Sequence, residues 1–197
     1  AAPVVLLLAA VPWILPPYHT ILLAYGLAFA VAALGFNLLL GYSGLLSFGH
    51  SAYFGVGAYA VAFLVKYLKI DSMELHLAGG ILATAAVSAL FGLVCVRYTR
   101  IFFAMLTMAL SQVLWSLAMK FYWVSGGSDG LRVPTPTVLG LLGGPKADKV
   151  VFLSHSYYYF VLVVFLVAVA LMWIIVHSPF GKALQAVREL ALSLGGG

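Results

Sequence analysis

Residues 178–189 have the sequence SPFGKALQAVRE and directly follow a long apolar run that ends at His177. Ser178 is a favourable N-cap, and Pro179 suits the first position of a helix, where its missing N–H leaves no hydrogen bond unmade. The apolar side chains that follow recur at helical spacing and share one face: Phe180, Leu184 and Val187. The polar side chains lie around the rest of the helix: Lys182, Gln185, Arg188 and Glu189. This pattern predicts a short amphipathic helix at a membrane surface, with an apolar face that needs a partner.

The composition of the chain indicates a membrane protein. Its 197 residues are 64% hydrophobic and only 8% charged, and residues 1–65 contain no Asp, Glu, Lys or Arg. A soluble domain of this length cannot bury so much apolar surface, whereas runs of about 20 uncharged residues match the thickness of a bilayer core. The basic residues are scattered, so the net charge of +5 suits the headgroups of a lipid bilayer and gives no sign of nucleic-acid binding. We therefore expect an all-α, polytopic membrane protein.

Six apolar stretches are predicted to enter the membrane. They lie at about residues 4–15, 19–40, 51–65, 75–96, 101–123 and 156–176. The first is short and rich in proline, so we expect it to be clipped or kinked. In the fourth, a stripe of small residues recurs every four positions and predicts close packing against another helix: Gly80, Thr84, Ser88 and Gly92. The tyrosines at 157–159, at the start of the sixth stretch, are expected in an aromatic belt at the membrane interface.

A glycine-rich stretch, GFNLLLGYSGLLSFGHSAYFGVGAY at residues 35–59, separates the second and third predicted spans. Such glycine density predicts a broken or re-entrant helix whose freed backbone groups line a pathway for small polar solutes. A closely packed glycine hinge without ligand contact is the alternative. The candidate pathway residues are Asn37, Gly41, Tyr42, Ser43, Gly44, Ser47 and His50, together with Gln112 in the fifth span.

Two of these candidates have specific expectations. For His50 we expect a hydrogen-bonded packing role in preference to a proton relay or a metal ligand, because no carboxylate or second histidine lies nearby in sequence. Gln112 shares a face of its span with Ser116 and Lys120, and an amide is costly against lipid, so this face should look inward. Hydrogen bonding to another helix is favoured over contact with substrate for this face.

No catalytic or metal-binding pattern is present in the sequence. The chain lacks a GxxxxGK[ST] phosphate loop, HExxH and CxxC, and its five carboxylates lie outside the predicted spans. The single Cys95 lies in an apolar stretch and is expected to pack there. We therefore predict no enzyme activity, no metal site and no cofactor on this chain.

Four ordered stretches carry a family resemblance: 35–59, RIFFAMLTMALSQVLW at 100–115, SGGSDGL at 125–131, and 178–189. Together they resemble the permease subunit of branched-chain amino-acid ABC importers, of the LivM type rather than its LivH-type partner. The resemblance implies a multi-pass subunit of the bacterial plasma (inner) membrane that pairs with a LivH-type second permease. It also implies two cytoplasmic ATPase subunits, which would hold ATP and Mg, and an extracytoplasmic solute-binding protein.

The resemblance also assigns roles along the chain. Residues 1–177 would form the transmembrane permease domain and residues 178–197 a cytoplasmic coupling segment. The segment would rest in a groove of the ATPase through Ser178, Pro179, Phe180, Gly181, Lys182, Leu184, Val187, Arg188 and Glu189. ATP-driven closure would push on its apolar face, and rigid helices would carry the motion to the break at 41–50, giving alternating access.

The loop at 124–155 is the candidate dock for the binding protein, although mixed charge on an outward loop is more often an ordinary solvated surface. The docking candidates are Asp129 and Arg132, with Lys146, Asp148 and Lys149 further along. The glycines of SGGSDGL fit a tight turn. Family members carry more charged residues after Glu189 and more spans, so this chain is expected to be incomplete.

Two other functions remain as alternatives. A self-contained channel or secondary transporter for small polar solutes, such as amides or urea, would not need the helix at 178–189. An intramembrane enzyme is less favoured still, because paired His, Glu or Asp residues within the spans are missing. Branched-chain amino acids are the family's commonest cargo, and related permeases carry other amino acids, amides or urea.

Overall fold

The computed structural model describes residues 2–70, 72–98, 100–134, 136 and 152–194. Within these residues the regular elements are helices. They are α1 (Ala2–Ile14), α2 (Pro17–Asn37), α3 (His50–Leu68), α4 (Met73–Cys95), α5 (Arg100–Lys120), α6 (Tyr122–Ser125), α7 (Tyr157–His177) and α8 (Pro179–Leu194). Two π-helical turns adjoin them, Leu38–Tyr42 directly after α2 and Phe152–Ser156 directly before α7.

Five helical segments of the described chain are long and apolar enough to cross a membrane. They are Pro17–Tyr42, His50–Leu68, Met73–Cys95, Ile101–Lys120 and Leu153–His177. These confirm five of the six predicted spans and the all-α, multi-pass architecture. The first predicted span, expected to be short, corresponds to α1. The described helix has 13 residues, or about 20 Å, against a hydrocarbon core of about 30 Å, and it contains Pro12.

The chain divides into two compact units, one formed by Ala1–Gly44 with Ala147–Gly197 and the other by Leu45–Lys146. The predicted division into residues 1–177 and 178–197 falls inside the first unit. That division concerns which residues lie in the membrane, and it stays a prediction.

In the first unit, α1, α2 and α7 share a small apolar core. Its buried members are Val11, Ala24, Leu27, Tyr158, Val161 and Leu162. Pro12 lies inside α1 and has no N–H, so the carbonyl of Leu8, four residues earlier, loses its intrahelical donor. The hydroxyl of the fully buried Tyr158 donates to that carbonyl at 2.6 Å. The predicted place of Tyr158 in an interfacial aromatic belt stays a prediction, and its hydroxyl supplies the hydrogen bond that Pro12 cannot donate.

In the second unit, α3 and α4 approach closely through small residues. A Cβ built on Gly57 of α3 would lie 3.2 Å from the Thr84 hydroxyl oxygen, and one on Gly80 would lie 3.6 Å from the Gly57 carbonyl oxygen. The predicted stripe is thus confirmed for Gly80 and Thr84. It does not extend further, because Ser88 is exposed and a Cβ on Gly92 would meet no described atom within 4 Å.

Two charged side chains of the second unit lie near helix ends, those of Lys66 and Glu74. Helix α4 begins at Met73, two residues before the predicted span, so Glu74 lies in its first turn. The positive end of the helix dipole stabilises a carboxylate there. Lys66, near the end of α3, donates to the backbone carbonyls of Trp123 and Val124 at 3.3 and 3.2 Å. That ammonium ties the end of α3 to α6.

Candidate functional site

A sharp corner at Ser178 separates α7 from α8. Ser178 has extended backbone angles, φ −76° and ψ 164°. Its hydroxyl oxygen accepts a hydrogen bond from the N–H of Gly181 at 3.4 Å and donates one to the carbonyl of Ile175 at 2.6 Å. Helix α8 then starts at Pro179. The predicted N-cap and first-position proline are confirmed. The Ser178 hydroxyl satisfies a free carbonyl at the end of α7 and a free N–H at the start of α8.

Gly181 allows the first turn of α8 to fold back against the end of α7. A Cβ at this position would overlap the carbonyl oxygen of Val176 and lie 2.7 Å from that of Ile175. No side chain fits between these backbone atoms. The sequence placed Gly181 in the coupling segment, and the structure gives the physical reason for glycine there.

Helix α8 presents different faces to its own chain and to the outside. Gly181 is buried, and Arg188, seven residues later, lies on the same side two turns along. Phe180 and Val187 lie on the neighbouring side and are each 61% exposed, while Leu184 is half-buried between the two sides. Lys182 and Glu189 are exposed. The predicted apolar face is therefore largely open, and a second face of α8 makes the contacts within the chain.

Arg188 reaches from α8 to the glycine-rich break. Its Nη1 donates to the backbone carbonyl of Gly41 at 2.6 Å, and Gly41 belongs to the π-helical turn that follows α2. Gly44, just beyond this turn, has φ +68°, and a Cβ on it would lie 3.1 Å from Cγ of Arg188. The resemblance implied a contact between Arg188 and the ATPase, and nothing in the sequence pointed to this contact within the chain.

The predicted interruption of the second and third spans is present at residues 43–49, which are not helical. On its N-terminal side, the hydroxyl of Ser43 donates to the carbonyl of Leu39. The side-chain oxygen of Asn37 would lie 2.9 Å from a Cβ on Gly41, so Asn37 covers that glycine. Tyr42 is half-buried. The first unit thus brings Asn37, Gly41, Ser43 and Gly44 together.

On its C-terminal side, the break belongs to the second unit. Ser47 is buried, and a Cβ on Gly49 would lie 2.7 Å from the carbonyl oxygen of Thr107 in α5. The His50 ring meets the Tyr53 ring edge-on, with centroids 6.1 Å apart, which fits the expected packing role. Thr107 was not among the predicted site residues. It contacts the break through its backbone, which gives no signal in a sequence.

The face of α5 that is predicted to look inward is not covered by the residues that the structure describes. Thr107 is buried, whereas Gln112, Ser116 and Lys120 are exposed on the other side of α5. Gln112 therefore lies apart from the break within the second unit. Its amide is left on the outer surface of a membrane-crossing helix.

The SGGSDGL stretch forms the predicted tight turn. Its glycines have positive φ, at Gly126 (76°), Gly127 (52°) and Gly130 (68°). The backbone N–H of Asp129 donates to the Gly126 carbonyl at 3.0 Å. These backbone angles explain the glycines, because side chains are disfavoured at positive φ.

The docking candidates near this turn differ in their surroundings. The Tyr122 hydroxyl donates to Oδ2 of Asp129 at 2.7 Å, and this hydrogen bond raises the pKa of Tyr122. Arg132 is exposed. The further candidates Lys146, Asp148 and Lys149 lie outside the described residues.

Comparison with known proteins places these features in a family. The family model "Branched-chain amino acid transport system / permease component" matches residues 19–190, which include the break and the beginning of α8. Similar proteins include the "High-affinity branched-chain amino acid transport system permease protein LivM" of Salmonella typhimurium, 28% identical over 178 residues. The protein of the same name from Escherichia coli is 27% identical over 184 residues.

Each of these alignments covers 82% of this chain and 41% of the relative, so the chain spans less than half the length of the curated relatives it matches. No solved structure gives a significant match. Since the family model covers most of the sequence, this chain belongs to the family of permease components of branched-chain amino acid transport systems.

Proposed function

We propose that this chain is part of a LivM-type permease subunit that imports branched-chain amino acids and is not itself an enzyme. Family membership supports the transport role, and the names of the matched relatives support the cargo. The observation that carries the proposal is α8, a capped helix directly after a membrane-crossing helix, with Phe180 and Val187 exposed. Burying one such side chain in a partner's groove contributes about 2 kcal/mol.

The partner of α8 in this proposal is one of two cytoplasmic ATPase subunits, which hold ATP and Mg. A LivH-type permease and an extracytoplasmic solute-binding protein complete the assembly in the bacterial inner membrane. The amide of Gln112 is exposed on α5, and an amide is costly against lipid. This supports contact of α5 with a second membrane subunit or with a water-filled pathway. Exposed Arg132, next to the ordered turn of Asp129, supports the outer loop as the dock.

The substrate pathway is proposed at the break. Backbone groups freed from regular helix at residues 43–49 can bind polar solutes. Asn37, Tyr42, Ser43, Ser47 and His50 flank or lie within this segment. Alternating access then requires that ATP-driven movement of α8 change the conformation of the break.

Affinity purification of the full-length protein from native membranes in mild detergent tests the assembly. We expect two ATPases and a second permease to be recovered with it. Recovery of the protein alone, in a form that still transports, would contradict the proposal and favour a self-contained channel or secondary transporter.

Substitution of Phe180 tests the docking face. Phe180→Asp places a carboxylate in the first turn of α8, where it favours the helix, and removes an exposed apolar contact. From the apolar burial lost, we expect about 30-fold weaker ATPase binding. Gln185→Asp is the matched control, because it adds the same charge to an exposed polar position of the same helix. Equal ATPase recovery with both variants would show that the apolar face is not the dock.

A further inference from the structure

We propose that Arg188 is a positioning residue that ties α8 directly to the π-helical turn after α2, so that movement of α8 changes the order of Gly41–Gly44, where the break begins. This inference rests on the proposed function, which supplies the force on α8. The resemblance implied that rigid helices carry the motion of α8 to the break. Here the motion is carried by a defined contact, the hydrogen bond from the Arg188 guanidinium to the Gly41 carbonyl.

The chemistry of the contact suits a helix end. The last carbonyls of a helix have no intrahelical donor, and they carry the negative end of the helix dipole. Gly41 lies in the π-helical turn Leu38–Tyr42, one residue before helical structure ends. The Arg188 guanidinium supplies both the missing donor and a positive charge, at a distance of 2.6 Å that is typical of a charge-assisted hydrogen bond.

Gly44 makes room for the Arg188 side chain, and Gly41 makes room for a neighbour of its own helix. At Gly44 the positive φ of +68° disfavours a side chain, and a Cβ would also lie 3.1 Å from Cγ of Arg188. At Gly41 a Cβ would lie 2.9 Å from Oδ1 of Asn37. Both positions are shaped by neighbouring side chains, one of them from the far end of the chain. The passage of Arg188 thus explains the glycine at 44, whereas the Asn37 side chain explains the glycine at 41.

The geometry of α8 makes Arg188 sensitive to small movements. The helix is fixed at its start, where Ser178 caps it and Gly181 lies against the end of α7. Arg188 lies seven residues beyond Gly181, or about 10 Å along the axis. A pivot of about 6° at the corner moves Arg188 by about 1 Å, which is enough to break its hydrogen bond. The apolar side chains that a partner would push, Phe180 and Val187, lie on the open side of the same rigid element.

Hydrogen exchange measured on the full-length protein in detergent tests the tie without any assay of transport. In Arg188→Gln, we expect amide exchange within residues 38–49 to be about tenfold faster than in the unaltered protein, because a charge-assisted bond at the helix end is lost. Arg188→Lys keeps the cation and should give an intermediate rate. Gln185→Ala is the matched control, since Gln185 is exposed on the same helix. Unchanged exchange in Arg188→Gln, or equal changes in both variants, would overturn the proposal.

Reconstitution with the ATPases and the binding protein tests the consequence for transport, with L-leucine as the probe. For Arg188→Gln we expect about tenfold less L-leucine taken up per ATP hydrolysed, a ratio that does not depend on how much ATPase is bound. Arg188→Lys should restore part of this ratio, which a general folding defect would not permit. A normal ratio in Arg188→Gln would overturn the tie. If the unaltered protein binds no ATPase, the proposed function fails, while the exchange experiment still decides whether Arg188 orders the break.

Discussion

At the scale of single residues, glycine serves several purposes in this chain, and the sequence does not distinguish them. Gly181 permits backbone contact, Gly44 adopts a positive φ beside Arg188, and Gly26 has no described neighbour within 4 Å of an added Cβ. Glycine density alone predicted that the helix would be interrupted near 41–50. The reason for each glycine depends on which distant atoms lie beside it, and that follows only from the folded structure.

Replacing Gly181 with alanine tests the close corner between α7 and α8. The added methyl group overlaps two backbone carbonyls that cannot rotate away, so we expect destabilisation of about 1–3 kcal/mol. Gly26→Ala is the control, because its Cβ meets open space within a helix and should stabilise the protein by up to about 1 kcal/mol. Thermal unfolding in detergent measures both. Identical unfolding temperatures for the two variants would contradict the corner geometry.

At the scale of elements, hydropathy predicted the helices well because a bilayer imposes length and apolar composition together. It says less about how the helices pack. The first stretch was expected to be short, and α1 is a short helix that contains Pro12; its packing through Tyr158 was not predicted. The stripe in α4 had the correct period, yet only Gly80 and Thr84 meet α3. A repeat of small residues predicts that close packing is possible, whereas the angle between the helices decides how far the contact extends.

Leucine substitutions along this stripe test the difference. Gly80→Leu forces bulk against the Gly57 carbonyl and Val61, so we expect α3 and α4 to separate and the melting temperature to fall. Gly92→Leu adds the same side chain to the same helix where no described atom lies within 4 Å, and it should leave the melting temperature unchanged or higher. The idea fails if Gly92→Leu is the more damaging of the two.

At the scale of the whole molecule, the sequence predicted the membrane class, five of the spans and the surface helix. It did not predict the division into two compact units or the bond from Arg188 to Gly41. Such contacts join residues that are distant in the chain, and no local period or composition encodes them in one sequence. The candidate site was therefore predicted as two separate pieces, the break and α8, without the bond that joins them.

The orientation of the molecule follows if α8 lies in the cytoplasm, since successive spans alternate in direction. The turn at 125–131 then faces the outside, and Ser128 within it is exposed. In a background with buried Cys95 replaced by alanine, we expect Ser128→Cys to react with an impermeant thiol reagent in intact cells. Gln185→Cys should react only after the membrane is permeabilised. Labelling of Gln185→Cys in intact cells would reverse the orientation.

The bond between α8 and the break also constrains how the chain can vary. Gly44 and Arg188 occupy adjoining space, since a methyl group at position 44 would lie 3.1 Å from the Arg188 side chain. A larger residue at 44 is therefore compatible only with a shorter or redirected side chain at 188. The two positions should behave as a co-varying pair among homologues. A shorter side chain at 188 should relieve the steric part of the cost of a side chain at 44, while the cost of the positive φ remains.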